Sequence, residues 1–147
     1  MNELAQRAVA CKGWRWMPGM LAIHPNFRDV RVSHVGRTGM RGACRYASPM
    51  GGVSWAVVAL PLPTSSDVLP DLTDPATLGC LLVLVREAWD VGYGENKYAY
   101  IAVNPPVTPH MGEPWSVVVC DHNGEWPFGF DGDTEAEALI EALEAAP

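Results

Sequence analysis

Positions 36 to 42 read Gly36-Arg37-Thr38-Gly39-Met40-Arg41-Gly42, three glycines and two arginines in seven residues. Glycines let backbone N–H groups come close to an anion, and guanidinium groups present a planar fork that matches phosphate oxygens in pairs. Arg28, Arg31, Arg45, His24 and His34 lie in the same basic stretch and widen the patch. The chemistry on offer is recognition of an anion, with Arg28, Arg31, Arg37, Arg41, His34 and the amides of Gly36, Gly39 and Gly42 as donors. Trp16, two residues after Trp14 and shortly ahead of this stretch, is the ring best placed to stack on a base. Such stacking is worth roughly 1–3 kcal/mol. The ordinary alternative is a flexible loop whose arginines are solvated or paired with acidic residues elsewhere. On the same strand Trp14 reads as core and Trp16 as the partly exposed member. Trp55, Trp89, Trp115 and Trp126 fit packing positions in strands or helices.

Motifs for catalysis are not recognisable. The 36–42 segment lacks the Lys-Ser/Thr of a phosphate-binding P-loop and the Gly-x-Gly of a dinucleotide fingerprint. Gly52-Val53-Ser54-Trp55-Ala56 lacks the second glycine of a nucleophile elbow. Asp121-His122 sits beside a turn, where polar residues are expected anyway. His24 and His34 have no ligand partner at metal spacing, so neither a metal nor another cofactor is expected. Cys11, Cys44, Cys80 and Cys120 are widely and irregularly spaced and read as reduced thiols in a core.

Charge is unevenly divided. Residues 1–45 carry eight basic and two acidic side chains, whereas the remaining 102 carry two basic and fifteen acidic, giving +6 and −13. That asymmetry fits an anion-binding face or attraction between the two halves, within one chain or across a homo-oligomer. The length of 147 residues, 48% hydrophobic and 18% charged, fits one globular domain spanning the chain. No apolar run approaches the roughly 18–20 residues of a membrane span. The N-terminus shows no basic start and apolar core of a secretory signal, so a cytoplasmic location is expected.

The elements that must position these residues follow from periodicity. Asn2–Cys11 reads as a helix and Trp14–Ile23 as a strand broken at Pro18-Gly19. Val30, Val32 and Val35 mark a short strand, with Gly36–Gly42 a loop. Val53–Leu60 is near-continuously apolar and reads as a central strand, and Leu62–Pro70 as a linker. Pro75–Asp90 is the strongest helix, capped by Thr73 or Asp74, with an apolar stripe of Leu78, Leu81, Leu82, Val85 and Trp89. Tyr98–Val103 is a strand, and Trp115–Cys120 with Glu125–Phe130 a hairpin turning at Asn123-Gly124. Thr134–Ala145 is a helix opened by a Thr134–Glu137 capping box, burying Ala136, Leu139, Ile140 and Leu143. The order implies an α+β fold, mainly an antiparallel sheet with two to three helices packed on it.

The frame of these segments is Gly13-Trp14-Arg15-Trp16-Met17-Pro18-Gly19-Met20, the Leu72–Trp89 helix, the Trp-led hairpin and Gly132-Asp133-Thr134-Glu135-Ala136-Glu137-Ala138. It resembles small accessory proteins of bacteriophages and prophages, of the phage ABA-sandwich type. The resemblance covers about half of the chain, and residues 24–45 and 104–114 stand as insertions on it. It implies a phage accessory protein without supplying an activity. The expectation is a non-catalytic binder, acting in the cytosol of an infected bacterium against host antiviral defence. Its partner would be a nucleotide-like anionic small molecule held by the basic segment. The alternatives are a protein–protein inhibitor of a CRISPR-type defence complex through the acidic surface, and a structural or packaging accessory.

Overall fold

The computed structural model describes residues 2–25, 29–37, 39–47, 53–61, 68–92, 97–108 and 112–147, without the side chains of 2, 45–47, 53–55, 60 and 61. Among these residues run α1 (Asn2–Ala10), β1 (Leu21–Ile23), β2 (Val30–Val35), β3 (Gly39–Ala47), β4 (Val53–Pro61) and β5 (Leu69–Pro70). They are followed by α2 (Pro75–Ala88), β6 (Tyr100–Asn104), β7 (Trp115–Cys120), β8 (Phe128–Gly132) and α3 (Glu135–Glu144). The fold is α+β and mainly antiparallel sheet, as the periodicity predicts. Two sheets form where one is expected, with strand orders β4-β3-β2-β1-β5 and β6-β7-β8. The chain divides into two compact units, Met1–Val9 with Arg15–Cys80 and Ala10–Trp14 with Leu81–Pro147.

In the first unit, strand alternation sorts residues between two faces. Val30, Val32, Met40, Gly42 and Cys44 are buried, while Ser33, His34, Arg41, Val57 and Ala59 are exposed. The register between β2 and β3 shifts between Val32 and His34, so Ser33 is an extra residue and His34 falls opposite Arg41. The Ser33 hydroxyl donates to the Arg41 carbonyl at 3.1 Å. Three sequence expectations change here. The 36–42 segment is a short hairpin connection running directly into β3, because pairing with β2 and β4 on either side supplies the order that a glycine-rich sequence lacks. The apolar run read as central is β4, at the end of its sheet, since such runs mark burial but not strand order. Trp14–Ile23 is strand only from Leu21, because Gly19 turns the chain with φ 101°. The tryptophans are also reversed from expectation: Trp16 is buried, with 6% exposure, and Trp14 is half-buried.

In the second unit, α3 packs on β8 and β7. Thr134 caps α3, its hydroxyl accepting from the Glu137 amide at 3.2 Å, while the Glu137 carboxylate reaches back to the Asp133 amide at 2.9 Å. The reciprocal capping box read from the sequence is therefore present, displaced by one residue at its carboxylate end. Gly132 lets the helix approach: a Cβ there would lie 2.6 Å from the Ala138 nitrogen. Ala136, Ala138, Leu139, Ile140, Ala142 and Leu143 are buried along the helix. Trp89 completes this core, its ring centroid 4.9 Å from Phe128 and 5.6 Å from both Tyr98 and Phe130. Its indole N–H donates to the Ala142 carbonyl at 2.7 Å. Trp126, read as a packing residue, is instead 67% exposed.

The end of α2 carries a local cost. The Val91 amide donates to Arg86 O and the Asp90 amide to Glu87 O, the paired bonds of a Schellman ending. Asp90 occupies its left-handed position, with φ 51°, where glycine is the unstrained residue. Asp90→Gly is expected to raise stability by up to about 1 kcal/mol, measured by denaturant unfolding, because it removes the side-chain conflict and leaves both hydrogen bonds in place.

Candidate anion-binding site

The β2–β3 hairpin brings three of the sequence-predicted residues together. His34 and Arg41 are cross-strand partners, and Arg37 lies in the connection between the strands. Directly opposed residues have Cβ atoms roughly 4.5–5.5 Å apart, so the imidazole and guanidinium share one patch of the sheet. All three side chains are exposed, and among the described residues no carboxylate pairs with Arg37 or Arg41. The arrangement can offer an anion two permanent positive charges and an imidazole donor at an exposed surface.

The remaining predicted donors are placed otherwise. Arg31 is bound in both directions to Asp74, Nη1 to Oδ2 and Nη2 to Oδ1, each at 2.7 Å. Its Nη1 also donates to the Gly19 carbonyl at 2.7 Å. Arg31 is thus a structural cation, and the anion-site expectation for it is corrected. The Gly36 amide donates to Gly39 O at 2.8 Å, so the turn itself uses the hydrogen that an anion cradle would need. Gly42 is buried within β3, paired with Val32 and Val58. A Cβ on Gly42 would collide with Val30 Cγ1 and lie 2.7 Å from Arg31 O. Its glycine therefore serves strand packing. Gly39 starts β3 and contributes its carbonyl to the turn. Trp16, being buried, presents no ring for stacking. Arg28 lies outside the described residues, as does the side chain of Arg45.

The partner of Arg31 is the feature that sequence reasoning missed. Asp74 accepts from the Thr77 amide at 2.8 Å and the Thr77 hydroxyl at 2.9 Å, so it also caps α2. The Thr77 hydroxyl in turn accepts from the Leu21 amide at 2.9 Å. Arg31 first, and then the Thr77 donors, hold the Asp74 carboxyl down to about 2 against the burial that would raise it. The hydrogen bond to Asp74 pushes the Arg31 guanidinium up. The signal available beforehand was Asp74 preceding Pro75, which marks a cap, together with the opposite charges of the two halves.

A second surface feature lies in the other unit. Tyr100, Trp126 and Phe128 are large exposed rings, 47%, 67% and 40% accessible. The Tyr100 hydroxyl is pushed above its ordinary range, chiefly by its hydrogen bond to the Cys120 thiol, with Trp126 acting in the opposite sense. Asp121, weighed with His122 as a catalytic pair, accepts from the Asn123 and Glu125 amides at 2.8 and 2.9 Å and so organises the β7–β8 turn. Among the described residues no group of three or more His, Cys, Asp or Glu could hold a metal ion. No helix among the described residues is long and apolar enough to cross a membrane. Known protein families, curated proteins and solved structures show no match to this chain.

Two measurements check this assignment. Asp74 has a folded pKa below its ordinary 3.8, so its contribution is complete above about pH 4 and is lost as pH falls towards 2. The wild type should lose stability across that window, and Asp74→Asn, less stable at pH 7, should show a shallower decline. Gly42→Ala should cost about 1–3 kcal/mol of unfolding free energy by overpacking. An anion-cradling glycine would instead lose affinity at unchanged stability.

Proposed function

We propose that this chain acts by binding, and that it sequesters a phosphate-bearing nucleotide at the β2–β3 hairpin. The observation carrying this reading is the exposed trio of His34, Arg37 and Arg41 on one hairpin end. Two guanidinium groups give an anion charge-assisted hydrogen bonds, and the imidazole adds a further donor. The sequence resemblance to phage accessory proteins sets this binding in an infected bacterium, where removing a nucleotide signal would blunt host defence. With Arg31 and Gly42 committed to the fold, the site is smaller than the basic segment suggests, and recognition rests on charge more than on enclosure.

A second reading is supported by the exposed rings of the other unit. Exposed Tyr100 and Asp131 share one face of the second sheet, and exposed Trp126 and Glu125 lie in the β7–β8 connection, an aromatic and acidic combination suited to a basic protein partner. Aromatic residues are enriched among the anchors of protein interfaces. Inhibition of a host defence complex is the function this surface would serve.

Titration calorimetry with cyclic and linear nucleotides separates the two. Arg37→Ala/Arg41→Ala removes two charge-assisted contacts of roughly 1.5–3 kcal/mol each, so affinity should fall at least about a hundredfold. Thermal stability should barely move, because exposed arginines contribute little to folding. Absence of nucleotide binding by the wild type would reject sequestration and leave the aromatic and acidic surface as the functional one.

A further inference from the structure

The first sheet ends on one side in β4, nine residues that pair among the described residues only with β3. Alternate residues of such a strand direct their N–H and C=O groups away from the sheet, a ready template for another strand. Proteins guard long edges with charge, proline or brevity. The sequence Val53-Ser54-Trp55-Ala56-Val57-Val58-Ala59-Leu60-Pro61 contains no charged residue, and its only proline is the last. At its centre Val57 is 80% exposed.

The other sheet ends are guarded. β5, at the opposite end of the same sheet, has two residues. β6 has five and runs straight into Pro105-Pro106. β8 has five, among them Asp131 and two glycines. The contrast isolates β4 as the edge built for pairing.

We infer that β4 is a homodimer interface, in which two copies of this chain join their β4 strands antiparallel about a two-fold axis near Val57. A second copy fits for two physical reasons. An uncharged strand meets its own copy without like-charge repulsion, and a two-fold contact needs only self-complementarity. The pairing also stops at two: it occupies the long edge of both chains, and β5 is too short to propagate the sheet. The inference stands apart from the nucleotide reading, since β4 supplies none of the three hairpin side chains.

The test is sedimentation velocity of the full chain from low to high micromolar concentration, comparing wild type, Val57→Lys and Val57→Thr. Wild type and Val57→Thr should sediment as a species of twice the 15.9 kDa chain mass at the upper concentrations. Val57→Lys places like charges directly opposite each other at the axis and should raise the dissociation constant at least tenfold, with an unchanged circular dichroism spectrum. Hydrogen exchange offers an independent reading: amides of 53–60 should gain protection with concentration in the wild type and Val57→Thr, and not in Val57→Lys. A wild type that stays monomeric, or a Val57→Lys variant that dimerises like the wild type, would overturn the proposal.

Discussion

The carboxylate of Asp74 receives four hydrogen bonds, two from the Arg31 guanidinium and two from Thr77. Each bond joins elements that are distant in sequence or sets where one begins. Through Thr77 the carboxylate starts α2, and the same threonine passes the connection to β1 through the Leu21 amide. Through Arg31 it ties down β2 and, by the Gly19 carbonyl, the turn that leads into β1. One ionised group therefore fixes a helix start against two strands. Its geometry is bidentate, and the Asp74 side chain is only 11% exposed, so water competes weakly for it. Removing one partner would leave the other charge short of hydrogen bonds in a partly desolvated place, which costs more than the pair itself contributes.

This commitment shapes what the basic segment can do. The arginine nearest the middle of the sheet is neutralised internally, and the free positive charge moves outward to Arg37 and Arg41. The bulge at Ser33 matters here. Without the extra residue, Ser33 would stand opposite Arg41 and His34 would turn to the buried face. One inserted residue thus converts a strand with an inward imidazole into a hairpin with an outward imidazole beside two exposed arginines.

Much of the second unit was legible from the chain alone. Thr134 and Glu137 carry a local rule, a hydroxyl and a carboxylate three residues apart, and local rules need no tertiary knowledge. The α2 start was equally readable, with Asp74 ahead of Pro75. The errors fall where distant partners decide. Glycines at 36, 39 and 42 argue for a loop until pairing on both sides makes β3 a strand. Periodicity cannot distinguish Trp14 from Trp16: the two residues belong to different compact units, so tertiary packing decides which ring is enclosed. An apolar run such as β4 looks central because its own sequence does not record its neighbours. The partner of Arg31 lies 43 residues away, beyond any spacing rule.

The cysteines give each unit its own internal clock. Cys44 in the first unit and Cys120 in the second are 5% and 0% exposed, so a thiol reagent reaches either one only when its surroundings open. Cys80 and Cys11 are half-buried and stand one in each unit as well. Burial also pushes the Cys80 thiol up, which lowers its reactive thiolate at neutral pH. The native chain therefore carries two slow thiols and two more accessible ones, divided evenly. Modification rates followed residue by residue would report the opening free energy of each unit in the same sample, with no label introduced.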